Sequence, residues 1–413
     1  MVINDTQLKL LQGQLKLVCG HDEFYQKKYA DCGIEPGDIR TAQDFRKLPF
    51  TTKEELRGAY PLKLQAAPDE EIVRIHSSSG TTGKPIIIPY TRQDVETWAE
   101  MFERCYRVAG ITRLDRVQIT PGYGLWTAGI GFQAGVERLG AMAIPMGPGN
   151  TDKQIQMLVD LQSTVLGATS SYALLIAEEI NRRGLRDKIS LKKGIIGSER
   201  WGDKMRARIE QELGIELYDI YGLTEIYGPG ISISCKHGEG LHYWDDHLYF
   251  EIIDPNTGEN VPDGEQGELV ITTLTKQGAP LIRYRTRDIT RLLPDACPCG
   301  LHYPRHDRIV GRTDDMTKVK GVNIYPGQIE DLLREIGGVS SEYQIVIDHV
   351  DGKDRMLLRV EKSGRGEDAD TAQAIVRLFK SKIGITISVE LAELGALPRS
   401  EKKTKRILDH RYQ

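Results

Sequence analysis

A loop rich in hydroxyl side chains and glycine is the strongest chemical signal in the sequence. It runs from position 77 to 85 as SSSGTTGKP. Its glycines let backbone amides turn toward an anion and its lysine adds a positive charge, so the composition is typical of phosphate binding. The spacing is not that of a Walker A loop, and a solvated surface turn is the alternative. The candidate residues are Ser77, Ser78, Ser79, Gly80, Thr81, Thr82, Gly83 and Lys84.

Carboxylates follow two segments whose patterns predict β-strands. Glu225 ends the segment YGLTE, which comes after an expected strand at 217–220, and Asp288 is expected just after another strand. Because open α/β sheets bind ligands at the carboxyl ends of their strands, both acids are candidates for ligand contact. A third polar segment, at 397–406, carries several cations. Taken alone, that segment is typical of a solvated basic surface.

Three cysteines and a histidine have the chemistry of a metal site. Cys297 and Cys299 form a C-x-C-G segment, while Cys235 lies upstream with His242 seven residues later. Three thiolates and an imidazole match a closed tetrahedral zinc site, which would be structural because no position is left for water. Three reduced cysteines without a metal are the alternative. Other histidines that could complete the set are His237, His302 and His306.

The order of elements predicts an α/β architecture followed by a smaller α+β unit. A helical layer is expected over residues 1–70, and strands alternate with periodic helices from 71 to 289. After the polar segment GRTDD at 311–315, a βαββαβ-like order predicts a further unit of about 100 residues. Expected helices include 151–161, 203–213, 326–336 and 370–382, and expected strands include 343–348, 355–361 and 385–391.

Composition excludes several classes of function. The chain has 413 residues and a formal net charge of -4, and no apolar run approaches the roughly 20 residues that cross a bilayer. A membrane-spanning protein is therefore excluded, and the slightly negative charge argues against nucleic acid as the main partner. The first residues show no basic segment followed by an apolar one, and six cysteines are too few for a disulfide framework. We therefore expect a cytoplasmic protein.

Four segments, in their order and spacing, resemble the adenylate-forming enzymes, which include acyl-CoA synthetases, firefly luciferase and nonribosomal adenylation domains. They are the loop at 77–85, YGLTE at 221–225, YRTRD at 284–288 and the cationic segment at 397–406. The resemblance covers nearly the whole chain and is strongest to phenylacetate-CoA ligases. The five motifs shared with those ligases are a compact N-terminus, YGLTE with Gly228-Pro229-Gly230, WDDH at 244–247, PLIRYRTRD at 280–288 and GRTDDM at 311–316. The resemblance implies a large N-terminal domain of layered sheets and helices at 1–313. It also implies a small mobile α+β C-terminal domain at 314–413, with Asp314 at the hinge.

The resemblance implies a ligase that joins a phenylacetate-like aromatic acid to coenzyme A. ATP and Mg²⁺ would serve to adenylate the acid, and transfer to coenzyme A would release AMP after the loss of pyrophosphate. The loop at 77–84 would hold the β and γ phosphates, Thr224 would contact the α-phosphate and Glu225 would bind Mg²⁺. Asp288 would accept both ribose hydroxyls. Further implied nucleotide contacts are Ser198, Glu199, Tyr221, Gly222 and Arg312.

Lys403 matches the catalytic lysine that the family carries near its C-terminus. Such a cation would stabilise the charge that grows on the α-phosphate and the attacking carboxylate. The family usually has glycine just before this lysine, and Lys402 stands there instead, so Lys402 and Lys405 are rival assignments. The small domain is expected to rotate between the two half-reactions and to withdraw the lysine after the first.

The acid pocket is expected where the relatives present aromatic residues to the aryl ring. Core packing is the alternative role for its aromatic side chains. Arg200 is a candidate partner for a polar group on the acid, which puts unsubstituted phenylacetate in doubt. The candidate pocket residues are Tyr123, Gly124, Trp126, Ala128 and Gly228. Alternative functions are adenylation with a different acceptor, such as an amine, a carrier thiol or a hydroxylated deazaflavin that takes AMP, and a nonenzymatic nucleotide sensor. A homodimer is left open.

Overall fold

The computed structural model describes residues 3–78, 84–199, 201–314, 317–320, 322–350, 353–363, 368–399 and 406–411. Their α-helices are α1 (Asp5–His21), α2 (Glu23–Cys32), α3 (Ala42–Phe45), α4 (Lys53–Gly58), α5 (Arg92–Val108), α6 (Ala128–Leu139), α7 (Thr151–Asp160), α8 (Ser170–Arg182), α9 (Asp203–Leu213), α10 (Pro326–Arg334) and α11 (Asp368–Lys382). None of these helices is long and apolar enough to cross a membrane.

The β-strands of the same residues form five sheets. They are β1 (Ile72–Ser77), β2 (Ile87–Thr91), β3 (Arg116–Ile119), β4 (Met142–Pro145), β5 (Val165–Thr169), β6 (Lys193–Gly197), β7 (Glu216–Leu223), β8 (Gly228–Ser234), β9 (Leu241–Tyr243), β10 (Leu248–Ile253), β11 (Gly267–Thr273), β12 (Tyr284–Thr290), β13 (Leu292–Leu293), β14 (Arg305–His306), β15 (Gly311–Arg312), β16 (Thr317–Val319), β17 (Val322–Ile324), β18 (Val339–Val350), β19 (Lys353–Lys362), β20 (Ser388–Ala392) and β21 (Ile407–Asp409).

The central sheet has the strand order β13-β14-β9-β8-β7-β6-β5-β3-β4. Strands β3 to β7 are parallel, and β8, β9, β14 and β13 add antiparallel neighbours beside β7. Side chains of the parallel strands point alternately to two apolar layers. Ile195 packs with α5 and α6, whereas Ile196 packs with α7, α8 and α9. The sheet is therefore covered on both faces, as parallel sheets usually are.

Glycines on α6 bring that helix close to α5. A Cβ on Gly131 would collide with the Trp98 ring, and one on Gly135 would collide with Phe102. Both aromatic side chains are fully buried in the core of this layer. The two glycines are therefore packing residues, because any larger side chain would push the helices apart.

A second sheet, β10-β11-β12-β15, carries the N-terminal helical layer. Leu11 and Leu15 of α1 and Tyr25 of α2 pack against Tyr249 and Ile282 of this region. The expected helical layer at 1–70 is confirmed. The expected βα alternation is correct as far as β7, but from Gly228 to Arg312 the described residues form strands joined without helices. Consecutive strands there pair directly in antiparallel order, which needs no crossover helix.

The smaller unit has a core of its own. Its sheet has the order β20-β19-β18-β21, and Ile345, Leu358 and Phe379 pack between this sheet and α10 and α11. We refer to residues 317–411 as the small domain and to residues 3–312 as the large domain. The expected α/β architecture with a smaller α+β domain is confirmed. The helix expected at 203–213 has those bounds, and the one expected at 326–336 ends two residues early, at Arg334.

Candidate active site

A cavity of about 350 Å³ lies at the carboxyl ends of β6 and β7. Parallel strands of an open sheet place their following loops at this edge, which is why ligands bind there. Strands β12 and β15 of the second sheet form the opposite wall. The residues expected from the sequence that line this cavity are Ser78, Trp126, Ala128, Ser198, Glu199, Tyr221, Gly222, Thr224, Glu225, Asp288 and Arg312.

Other expected site residues are placed elsewhere or lie outside the described part of the chain. Ser77, Lys84, Tyr123, Gly124, Gly228 and Asp314 do not line the cavity. Ser79, Gly80, Thr81, Thr82, Gly83, Arg200, Lys402, Lys403 and Lys405 lie outside the described residues. Ser78, at the start of the 77–84 loop, is nevertheless fixed at the cavity by two hydrogen bonds with Ile86. The Ser78 backbone amide donates to Ile86 O at 3.0 Å, and the Ile86 amide donates to Ser78 Oγ at 3.0 Å.

Asp288 is a buried carboxylate held by two donors. Tyr221 Oη donates to its Oδ2 at 2.6 Å, and Arg312 Nη1 lies 2.7 Å from its Oδ1. Burial raises the pKa of Asp288, although the nearby Arg312 charge opposes this shift. The expectation that Asp288 follows a strand is wrong: it lies within β12. Side chains of β12 alternate between the two faces, and Asp288 points inward.

Glu225 lies in the turn after β7 and is 4% exposed. Lys53 Nζ, at the first turn of α4, lies 3.1 Å from its Oε1. The Thr52 side chain caps this helix, which fixes the direction from which Lys53 enters the cavity. The preceding Thr224 has its Oγ1 3.4 Å from Thr127 Oγ1. A buried carboxylate at the cavity wall suits a hard divalent ion, because such an ion prefers oxygen ligands.

The structure places only some of the expected acid-pocket residues at the cavity. Trp126 and Ala128 line the cavity, whereas the Tyr123 ring packs on the far side against Gly129, where a Cβ would lie 2.7 Å from the ring. Gly228 has a φ of 111°, and a Cβ there would lie 2.7 Å from the Trp98 ring. Gly228 is therefore required by the packing of the wall behind the cavity.

Glu199 holds the strip after β6 in place. Its Oε2 accepts from Ser171 N at 3.0 Å, Ser171 Oγ at 2.6 Å and Ser170 Oγ at 3.1 Å. These donors belong to the first turn of α8, where a negative charge is also favoured by the helix dipole. Glu199 thus fixes the neighbouring Ser198 at the cavity edge.

Among the cavity residues that were not singled out in the sequence, Lys53 and Asp219 carry ionisable side chains. Asp219 lies on β7, and burial raises its pKa to about 6, against the opposing effects of Trp201 and of Arg308. It can therefore hold or release a proton near neutral pH. No short motif predicts these residues, because their position at the cavity depends on how α4 and β7 pack. For Asp219 the sequence offered one signal of a site, an acidic residue within the otherwise apolar strand LYDIY.

The four predicted metal ligands come together in the fold. The ligand atoms of Cys235, His242, Cys297 and Cys299 all lie within 4.8 Å of one another. Cys235 Sγ is 3.6 Å from Cys297 Sγ, and Cys299 Sγ is 3.3 Å from His242 Nε2. His242 Nδ1 is 2.9 Å from Tyr303 O, so its other ring nitrogen is oriented toward the sulfur atoms. The donor set and its spacing fit a tetrahedral zinc ion.

The alternative histidines do not join this cluster. His306 Nε2 lies 2.8 Å from Ser232 Oγ and its Nδ1 lies 2.7 Å from Asp307 O, so both ring nitrogens have other partners. The group of possible ligands in the described residues includes neither His237 nor His302. His242 is therefore the histidine that the fold brings to the three cysteines.

Comparison with known proteins gives consistent matches over almost the whole chain. Residues 3–275 match the AMP-binding enzyme family, and residues 321–411 match the AMP-binding enzyme C-terminal domain. The chain is 43% identical to phenylacetate-coenzyme A ligase of Pseudomonas putida, over 98% of this chain and 93% of that protein. It is 41% identical to phenylacetate-coenzyme A ligase of Escherichia coli strain K12, over 98% of this chain and 94% of that protein.

Among solved structures, the chain is similar to a 2-hydroxyisobutyryl-CoA ligase in two states. In the postadenylation state, in complex with R3-HIB-AMP, the TM-score is 0.89 at 29% identity, over 98% of this chain and 89% of that one. In the thioesterification state, in complex with 2-HIB-AMP and CoA, the TM-score is 0.72 at 30% identity, with the same shares covered. The chain belongs to the phenylacetate-CoA ligase family of adenylate-forming, AMP-binding enzymes.

Proposed function

We propose that this chain joins a phenylacetate-like aromatic acid to coenzyme A through an acyl-adenylate. In the first step a carboxylate oxygen of the acid attacks the α-phosphorus of ATP, and the bond to pyrophosphate breaks. In the second step the CoA sulfur attacks the acyl carbon, the thiol proton is lost and AMP leaves. The observation that carries the proposal is one cavity with Asp288 and Arg312 on one wall and Thr224 and Glu225 on the other.

In this proposal, different side chains of the cavity contact different parts of the nucleotide. Asp288 accepts from the ribose hydroxyls, since Tyr221 and Arg312 already hold its oxygens in fixed directions. Glu225 would hold Mg²⁺, which supplies positive charge to the phosphates when bound. Lys53 adds a second cation beside Glu225. The 77–84 loop receives the β and γ phosphates, which is supported by the position of Ser78 at the cavity edge.

Lys403 is proposed as the cation that stabilises the first transition state. The support is its place in the C-terminal motif, because the residue lies outside the described part of the chain. Replacing Lys403 by Ala should lower acid-dependent exchange between ATP and pyrophosphate about 10²- to 10³-fold. Ala variants of Lys402 and Lys405 measured beside it decide the assignment, since the catalytic lysine is the one with the largest loss.

The acid is proposed to lie beside Trp126 and Ala128. An apolar wall separates related acids weakly, at about 1–3 kcal/mol per methylene, so aryl acids of similar size should compete. The test is a panel of aryl and short aliphatic acids with ATP, Mg²⁺ and CoA, with AMP and thioester measured by mass spectrometry. Thioester formed with aryl acids supports the proposal. Acid-dependent pyrophosphate exchange without thioester would favour another acceptor, and no acid-dependent product would favour a nucleotide sensor.

We also propose a boundary between domains at 313/314, with Asp314 as the hinge. Its carboxylate lies between Arg312 Nε, at 2.9 Å, and Arg287 Nη1, at 3.3 Å, so a turn of the chain there exchanges polar partners without exposing a core. Replacing Asp314 by Pro should slow the complete reaction more than pyrophosphate exchange. Equal slowing of both would count against the hinge.

The cysteine and histidine cluster is proposed as a structural zinc site. All four ligand positions belong to protein side chains, so the ion would tie the loop after β8 to the segment between β13 and β14.

A cytoplasmic location and a homodimer stay predictions, which cell fractionation and light scattering would test.

A further inference from the structure

Arg399 joins the small domain to the large one through two carboxylates. Its Nη1 and Nη2 each lie 2.8 Å from an oxygen of Glu361, a fully buried residue of β19. Its Nε and Nη2 also lie 3.0 and 2.8 Å from the two oxygens of Glu178 on α8. Glu361 therefore anchors the guanidinium within the small domain, and Glu178 receives it across the domain interface.

Glu178 is itself held in position by the large domain. Arg208 Nη2 of α9 lies 2.6 Å from Glu178 Oε1, and Arg208 Nη1 lies 3.4 Å from Ser340 Oγ of the small domain. Burial by itself would lower the pKa of Arg399, but hydrogen bonds to Glu361 and Glu178 outweigh it and raise that pKa. The pair is bidentate and charged, which makes its hydrogen bonds both stronger and more directional than neutral ones.

Further contacts at this interface are polar as well. Arg334 Nη1 lies 2.8 Å from Asp203 Oδ2, and Lys204 Nζ donates to Ile336 O at 2.7 Å. A cleft of about 720 Å³ separates the two domains beside these contacts. An interface of polar pairs around a cleft can open and close again at little cost, unlike a packed apolar one.

The arrangement of the two domains matches one state of the similar ligase better than another. The same relative gives a TM-score of 0.89 in the postadenylation state and 0.72 in the thioesterification state, at nearly equal identity and coverage. Both structures are of the same ligase. The difference in TM-score therefore comes from how its two domains are placed in each state. The contacts of Arg399 therefore belong to an arrangement like the postadenylation state.

We propose that Glu178 and Arg399 are positioning residues that hold the small domain in the arrangement for adenylation, and that their ion pair breaks before the thioester forms. The proposal rests on the proposed function. Arg399 precedes Lys403 by four residues, and four residues of extended chain span at most about 14 Å. Fixing Arg399 on α8 therefore limits where Lys403 can reach.

The variant Glu178→Gln tests this pair with little risk to folding. It keeps an acceptor for Arg208 and leaves the Arg399 contact with buried Glu361 intact, whereas replacing Arg399 would leave Glu361 without its charged partner. Glu179→Gln is the matched control, because Glu179 lies next to Glu178 on α8 and pairs with Arg182 and Arg183 of the large domain. Thermal melting of both variants checks that the fold is unchanged.

Two half-reactions should respond differently to Glu178→Gln. Acid-dependent pyrophosphate exchange should fall about tenfold, since the charged pair no longer favours the adenylation arrangement. Thioester formation from supplied phenylacetyl-adenylate and CoA should stay within about twofold of the unmodified chain or become faster. Glu179→Gln should leave both rates unchanged.

Equal loss in both half-reactions, or exchange no slower than in Glu179→Gln, would overturn the proposal. Small-angle X-ray scattering gives a readout that does not depend on catalysis. Glu178→Gln should shift the scattering toward a more extended arrangement, and a profile identical to that of the unmodified chain would also overturn it. If the unmodified chain shows no acid-dependent exchange with any acid, the proposed function fails, while the scattering still decides the role of the pair.

Discussion

At the scale of single residues, Asp288 offers the sharpest test of nucleotide binding. Replacing it by Asn removes the charge that would accept both ribose hydroxyls. Because hydrogen bonds to a charged group contribute about 1.5–3 kcal/mol, we expect the KM for ATP to rise roughly 10- to 100-fold. Steady-state kinetics with ATP and 2′-deoxy-ATP measure this. The unmodified chain should prefer ATP, and Asp288→Asn should lose most of that preference. An unchanged KM and an unchanged preference would contradict the role of Asp288.

The raised pKa of Asp219 predicts that the stability of the fold depends on pH. Its pKa is raised to about 6 in the folded chain from an ordinary value of 3.8. The folded state therefore binds more protons than the unfolded state between these values, so the Asp219 carboxyl costs stability as the pH rises through about 4 to 6. Replacing Asp219 by Asn should raise the free energy of unfolding at pH 7 by roughly 1–3 kcal/mol and change it little at pH 4.

Denaturant unfolding at the two pH values, without ligands, measures that effect. A stability difference that is the same at pH 4 and pH 7 would contradict the raised pKa. The test concerns the carboxyl itself and does not depend on which acid the protein activates.

Site residues were predictable from the sequence where a motif fixed the local chain. Thr224 and Glu225 follow β7 directly, and Asp288 and Arg312 lie on paired strands, so motif and geometry coincide. Lys53 was not predictable, because the first turn of α4 reaches the cavity through tertiary packing alone. Tyr123 was expected to line the acid pocket and does not. It lies in the expected segment, but its ring packs against Gly129.

At the scale of elements, the proposed zinc site would join the loop after β8 to the segment between β13 and β14. Replacing Cys297 by Ser should abolish stoichiometric zinc, measured by plasma mass spectrometry. It should lower the melting temperature by about 10 °C, because a lost structural ion costs several kcal/mol and a large domain shifts roughly 2–4 °C per kcal/mol. Pyrophosphate exchange at low temperature should stay within about twofold.

Cys32→Ser is the control for that experiment, because Cys32 is exposed and is not one of the clustered ligands. An unmodified chain that is purified without stoichiometric zinc, or a zinc-loaded chain that melts at the same temperature as Cys297→Ser, would contradict a structural metal.

Helices were the elements best predicted from the sequence. Helix α9 follows Gly202 and ends before Gly214, which adopts a φ of 59° at its C-terminus, and this pair of boundaries is readable in the sequence. The region after Gly228 was less predictable. Its β-branched runs fit either a parallel or an antiparallel sheet, and the pairing is settled by which strands meet in the fold. Strand β12 was misjudged because its polar residues alternate with buried ones and look like a loop.

At the scale of the whole molecule, the order of motifs predicted more than any single motif did. The two-domain architecture and the family follow from segments spread between residues 77 and 403, and the fold gathers several of them around one cavity. The placement of the small domain was not predictable, since it depends on polar pairs such as Glu178 with Arg399 whose partners lie 221 positions apart. Nothing in the local sequence of either residue indicates the other.

The most direct test of the central claim follows an oxygen atom. With phenylacetate labelled with ¹⁸O in both carboxylate positions, attack on the α-phosphorus places one labelled oxygen in the acyl-adenylate, and that oxygen leaves with AMP when CoA takes the acyl group. Mass spectrometry should therefore find AMP heavier by about 2 Da, as one ¹⁶O is replaced by ¹⁸O, together with phenylacetyl-CoA and unlabelled pyrophosphate. Thioester formed with unlabelled AMP, or with the label in phosphate, would contradict the acyl-adenylate.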